Sequence, residues 1–219
     1  MNEERDAHQP SPRHPPTEGG PNTPARQRAR IHITGGPGSG KTTLARRLGA
    51  LLGAPVFDLD GLALALQPSF TDEYGVVDHA GLIAARDAEL VSLAGRDAWI
   101  GDGSFVGHAM PLFYSADLVV WMDAPRHIAC YRVVARHVKA ELRRNNRFPG
   151  WKRLYLFWRW SLRYYADTNP PGLNVWGTPA TRAATAELLQ PFESKLVICR
   201  TARDIRNLIE SLGAAKIGD

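Results

Sequence analysis

The stretch IHITGGPGSGKTT, residues 31 to 43, constrains this chain more than any other. Alternating apolar residues run into a cluster of glycines, then a lysine and two threonines. Gly35, Gly40, Lys41 and Thr42 satisfy the pattern G-x-x-x-x-G-K-[ST]. Glycines there let the backbone adopt positive φ, so that successive N–H groups turn inward on an anion. A helix opening at the lysine adds its own free N–H groups and the positive end of its dipole. The spacing therefore predicts a strand, a phosphate cradle and a helix. Gly35, Gly36, Pro37, Gly38, Ser39, Gly40, Lys41, Thr42 and Thr43 are expected on the phosphates of a nucleotide. Lys41 would reach the terminal phosphates, and the Thr42 hydroxyl a bound Mg²⁺.

Upstream of the cradle the chain changes character. Residues 1–29 carry Pro10, Pro12, Pro15, Pro16, Pro21 and Pro24 among charged and polar neighbours, without aliphatic periodicity. Too little apolar area is present to offset the entropy of ordering, so a disordered tail is expected, with the folded domain spanning 30–219. Downstream, short apolar runs alternate with helical patterns. Strands are predicted at Arg30–Thr34, Pro55–Asp58, Trp99–Gly101, Leu118–Met122 and Leu196–Cys199. Helices are predicted at Thr42–Leu52, Asp78–Ala94, Arg126–Arg144, Trp151–Ala166, Pro179–Leu189 and Ala202–Leu212, the last opened by a Thr201/Asp204 capping pair. Contiguous rather than alternating apolar strands mean burial on both faces, and hence an α/β class with a mostly parallel five-stranded sheet between helical layers.

The carboxylates cluster at strand ends. In Phe57-Asp58-Leu59-Asp60-Gly61, strand alternation would turn Asp58 and Asp60 to one side, at the edge where open α/β sheets bind ligands. Either one of them caps a helix starting near Gly61, or one holds Mg²⁺-bound water and the other an acceptor hydroxyl. Asp102, ending Trp99-Ile-Gly-Asp102, is a candidate Mg²⁺ group, with a plain Asp-Gly turn as the alternative. Asp123, after Leu118–Met122, is a similar but weaker Mg²⁺ candidate, and reads first as a turn or cap residue before Pro125.

The net charge of +5 is concentrated between Arg126 and Arg163, where Glu141 is the only acid. Arg132, Arg136, Lys139 and Arg143 share one helix face and repel one another. An anion would compensate them, a transferring triphosphate being a candidate; a solvated basic face is the alternative. The segment Trp151–Tyr165 has a stripe of Trp151, Leu154, Tyr155, Trp158, Leu162 and Tyr165. It can pack on the domain, stack on an acceptor base or single-stranded nucleic acid, or lie on a membrane surface. Cys130 and Cys199 are far apart in sequence and without His or Cys at metal spacing, so neither a zinc site nor a disulfide framework is expected. No apolar run is long enough to span a bilayer and no secretory h-region opens the chain, so a cytoplasmic setting is expected.

With these residues assembled, the domain resembles the adenylate-kinase-like branch of the P-loop kinases, and within it the small bacterial DNA topology modulation proteins. The likeness runs over residues 30 to about 213. It rests on GGPGSGKTTLARRLGALLGAPVFDLDGL, WIGDGSF, ADLVVWMDAPRHIACYRVVAR and the aromatic WRWSLRYY. The resemblance implies a P-loop three-layer sandwich with a helical lid over about 126–176, using ATP and Mg²⁺ to phosphorylate a small molecule, such as a nucleotide or nucleoside. It implies that Arg132 lies near the nucleotide, Arg136 near the γ-phosphate and Arg200 beside the adenine, and that Asp58 and Asp60 form a D-x-D pair with Asp60 on the acceptor. Adenylate kinases carry D-G-F-P-R after the third strand, whereas this chain reads Asp102-Gly-Ser-Phe-Val-Gly-His108 and lacks that AMP-gripping arginine. The alternative reading is a nucleic-acid-associated ATPase or a nucleotide-dependent binding protein.

Overall fold

A computed structural model describes residues 29–72, 75–104, 109–146, 148–165 and 181–217. The expected tail (except Ala29), Val106–His108, and the segment from Ala166 through Trp176 to the predicted helix start at Pro179 lie outside the described residues. Five strands, β1 (Arg30–Gly35), β2 (Val56–Asp58), β3 (Trp99–Asp102), β4 (Leu118–Met122) and β5 (Leu196–Cys199), form one sheet in the order β2-β3-β1-β4-β5. Every pairing is parallel, so the sheet is wholly rather than mostly parallel. The helices are α1 (Lys41–Leu52), α2 (Leu59–Leu66), α3 (His79–Ala94), α4 (Met110–Ser115), α5 (Arg126–Leu142), α6 (Trp151–Tyr164), α7 (Arg182–Leu189) and α8 (Ala202–Ile217).

The sheet separates two apolar cores, which gives the expected three layers. Ile31, Ile33 and Val120 pack against Leu44 and Leu48 of α1 and Leu208 of α8. On the other face Trp99, Val119 and Trp121 meet Leu90 of α3, Leu112 and Phe113 of α4, and Phe192. β1, β3 and β4 are buried almost throughout, whereas the edge strands β2 and β5 are partly exposed. This is why the central runs read as contiguous apolar stretches. One residue breaks that pattern. His32 of β1 is fully buried on the α4 side, its ring edge-on to Phe113 at 4.4 Å. Both of its ring nitrogens lack a hydrogen-bond partner, and burial pushes its pKa down to about 3.

Just before β1, the Ala29 carbonyl accepts from the Trp99 N–H at 3.0 Å. The helix starts follow their caps. Asp78 accepts from Gly81 N at 3.0 Å to open α3. Thr201 and Asp204 exchange hydrogen bonds at 3.2 and 2.8 Å to open α8. α2 is the helix weighed near Gly61 as one reading of the Asp58/Asp60 pair, and α4 is absent from the sequence reading. No helix among the described residues is long and apolar enough to cross a membrane.

Candidate active site

β1 ends at the centre of the sheet, so the glycine loop emerges between the C-terminal ends of β3 and β4. That is the position at which open α/β sheets bind ligands. Gly38 has φ of +73° and lies so close to the Ala129 carbonyl of α5 that a β-carbon would collide with it. Gly36 is required for another reason: a β-carbon there would fall 2.6 Å from the Tyr164 ring of α6. The loop is thus gripped from one side by α5 and from another by the end of α6.

Lys41 opens α1 and is buried. Its Nζ donates to the carbonyls of Gly35 at 3.0 Å and Gly36 at 3.3 Å, and to Ser104 Oγ at 3.1 Å. Burial lowers its pKa, against the opposing pull of Asp60, Asp102 and Asp58 and with a smaller push from Arg136. These charges therefore share the neighbourhood of the lysine. The Thr42 hydroxyl donates to Asp102 Oδ2 at 2.6 Å. Asp102 Oδ1 is buried without a partner, and burial raises the pKa of this carboxyl, partly offset by the Thr42 hydrogen bond. A hydroxyl and a half-satisfied carboxylate beside a phosphate loop form the hard-oxygen set that Mg²⁺ takes together with nucleotide phosphates and water. Those two residues fit the ion.

The pair Asp58/Asp60 divides differently from the strand-alternation reading. β2 stops at Asp58, and Asp60 already lies in the first turn of α2. Asp58 Oδ1 accepts from Gly61 N at 2.8 Å, the helix-capping duty that was one of its two readings. Asp60 instead reaches across to the end of β3, where its Oδ1 accepts from Ser104 N at 2.8 Å and its Oδ2 from Ser104 Oγ at 3.5 Å. Ser104 is a site residue that the sequence reading did not assign. It touches Asp60, Lys41 and the Gly35 carbonyl at once. The signal was its place two residues beyond Asp102, just past the end of a strand that neighbours β1.

From α5, the Arg132 guanidinium donates to the Ser39 carbonyl at 2.9 Å, directly on the loop. Arg136 lies one turn further along, its guanidinium 5.9 Å from the centre of the Phe157 ring. Asp123 is neither a plain turn residue nor a helix cap. Its carboxylate is buried, accepts both Nε and Nη2 of Arg182, and accepts Arg200 Nε at 3.0 Å. Arg200 thereby lines a cavity of about 460 Å³ with Trp121, Tyr165, Arg126 and Arg182, on the α7 side of β4. Among the described residues no cluster of three or more His, Cys, Asp or Glu could hold a metal ion. Cys130 and Cys199 are both free thiols.

The stripe read along the aromatic segment holds in part, with Leu154, Trp158, Leu162 and Tyr165 half-buried. Ser161 and Tyr164 are the buried residues of α6, while Trp151 is 66% and Tyr155 55% exposed. The small Ser161, whose hydroxyl bonds back to Phe157 O at 2.8 Å, lets the helix approach closely. Tyr164 then reaches Trp121, whose Nε1 donates to the phenol oxygen at 3.3 Å.

No family model and no curated protein matches the chain. Solved structures do. Shikimate kinase from Acinetobacter baumannii in complex with shikimate aligns over 88% of this chain and 95% of its own, at 16% identity and a TM-score of 0.43. Shikimate kinase from Bacteroides thetaiotaomicron aligns over 85% and 97%, at 17% identity and a TM-score of 0.45. A gluconokinase from Sinorhizobium meliloti 1021 aligns over 85% and 97%, at 17% identity and a TM-score of 0.43.

Proposed function

We propose that the protein is an ATP- and Mg²⁺-dependent phosphotransferase acting on a small molecule, in the manner of the adenylate-kinase-like P-loop kinases. The observation that supports it best is Asp60. It is a carboxylate whose charge reaches Lys41, it is fixed by Ser104 N, and it is spared the capping duty that Asp58 performs. A nucleotide-binding loop alone fits a switch or an ATPase equally well. A positioned acid facing the loop's lysine adds what a kinase needs to orient an acceptor hydroxyl.

In this reading the backbone amides of residues 36–43 hold the ATP phosphates, and Lys41 leaves the loop carbonyls to meet the terminal ones. Mg²⁺, arriving with the nucleotide, would be held by Thr42 and Asp102, and neutralises charge on the β- and γ-phosphates. Arg132 and Arg136 face the transferring group, where positioning and electrostatics supply most of the catalysis. The narrower likeness, to the DNA topology modulation proteins, rests on sequence motifs alone.

The test is a panel of hydroxyl acceptors incubated with protein and Mg·ATP, with product detected by mass. At least one phosphorylated acceptor is expected, and Asp60→Asn should lower its formation by about 100-fold or more while ATP binding stays intact. No product across the panel from protein that binds ATP would refute the reading. Unchanged turnover in Asp60→Asn would remove the role of Asp60.

A further inference from the structure

Helix α6 carries apolar side chains on two sides. One side holds Leu154, Ser161 and Tyr165, none of them exposed. The other leaves Leu156 at 54% and Trp160 at 45% exposure, four residues apart, with Phe157 at 38% on the flank toward Tyr164. Beside them Lys152, Arg159 and Arg163 form an exposed row along the same helix. At the corner between α5 and α6, Leu142 and Phe148 are also exposed, at 80% and 51%. Apolar exposure of this extent on neighbouring elements is unusual for a surface facing only water.

The charge on this surface is unbalanced. Among the described residues from Arg126 to Tyr165, Glu141 is the only acid. It is engaged within the corner, where its Oε1 accepts from Gly150 N at 2.7 Å and Asn146 Nδ2 at 3.0 Å. The outward cations therefore have no partner acid on their own hairpin.

We propose that the outer face of α6 docks on an anionic lipid bilayer, the helix lying in the plane of the surface. Leu156 and Trp160 enter the boundary between headgroups and acyl chains, while Lys152, Arg159 and Arg163 extend to lipid phosphates with their methylene stems along the apolar patch. Charge complementarity calls for an anionic partner. The identity of the apolar groups chooses among anionic partners. Leu142 and Leu156 have no ring to stack on a nucleobase, but both partition into a lipid boundary. The Phe157 and Trp160 rings already face each other, with centroids 5.6 Å apart and planes inclined at 31°, and Arg136 lies over Phe157. Ring faces engaged in this way are poorly placed for bases to stack upon.

The test uses the full chain with vesicles of phosphatidylcholine containing about a third phosphatidylglycerol, and with vesicles of phosphatidylcholine alone. Binding is read by co-sedimentation and by the blue shift of tryptophan emission. The expected result is a preference of about tenfold or more for the anionic vesicles, weakened by salt. Two variants separate the contributions: Leu156→Ser with Trp160→Ser, and Lys152→Gln with Arg159→Gln and Arg163→Gln. Each should lose about tenfold or more in vesicle affinity while ATP binding is retained. If the first pair fails to fold, the charge variant decides. Absence of binding to either vesicle, equal binding by the charge variant, or binding to an oligothymidylate that anionic vesicles do not displace would overturn the proposal, the last in favour of single-stranded nucleic acid.

Discussion

Acidification should destabilise this fold through one imidazole. His32 is fully buried in β1, neither ring nitrogen has a partner, and burial lowers its pKa from 6.5 to about 3. The sign follows from linkage. The unfolded chain takes up a proton at His32 as pH falls below about 6.5, and the folded chain does not until about 3, so stability is lost across that window on the acid side. Each pH unit inside the window costs about 1.4 kcal/mol, and between pH 7.5 and 5.0 the two values give a loss of about 2 kcal/mol. That is a visible fraction of an ordinary domain's stability. Urea unfolding at several pH values should show the midpoint dropping by about 1 M over this range. Other groups titrate as well, and Asp102, whose pKa is raised, acts in the opposite sense. The readout is therefore the difference between wild type and His32→Leu, which removes the titration along with two unsatisfied nitrogens. The variant should be about as stable as wild type at pH 7.5, or more so, and should lose most of the acid slope. Parallel profiles for the two proteins, or a His32 resonance titrating near 6.5, would refute the reasoning.

The Asp123 cluster predicts an asymmetry. Removing both Arg182 and Arg200 leaves a buried carboxylate unpaired and should cost about 3–5 kcal/mol, whereas Asp123→Ala frees two half-exposed arginines to water and should cost less. Thermal or urea denaturation of the two variants checks the order. Gly36→Ala should destabilise by about 1–3 kcal/mol through its collision with Tyr164. In a Tyr164→Ala background the same Gly36→Ala change should cost little, and full additivity in that double-mutant cycle would show that the two residues do not meet.

The central strands and the glycine loop were legible because their pattern is local. An apolar run between turn signals reads as a buried strand, and G-x-x-x-x-G-K-T fixes backbone shape over eight residues. The losses came where a neighbour in space decides. Leu59–Leu66 reads LDGLALAL, so apolar that it carries little helical period, and β2 before it is only three residues long. Carrying strand alternation two residues past Asp58 sent Asp60 the wrong way. Met110–Ser115 is a six-residue helix whose Leu112 and Phe113 are buried by tertiary packing. The buried side of α6 was only half read, Trp151 and Tyr155 being exposed, because Ser161, a polar residue by type, is the one that permits close approach. Ser104 stayed hidden because its partners, Lys41 and Asp60, lie 63 and 44 residues away in sequence.

Those separations bear on how the protein is made. The loop follows β1, the earliest strand among the described residues, yet β1 is flanked by β3 and β4, which begin only at Trp99 and Leu118. Arg132 joins Ser39 across 93 residues, and Thr42 joins Asp102 across 60. Parallel pairings over such distances form late and leave an apolar strand uncovered while the rest of the chain is still emerging. The site therefore cannot be built by halves. Nascent or truncated chains should carry an intact glycine motif with no grip on phosphate, and variants that slow strand pairing should lower the yield of competent protein without altering the affinity of the molecules that do fold.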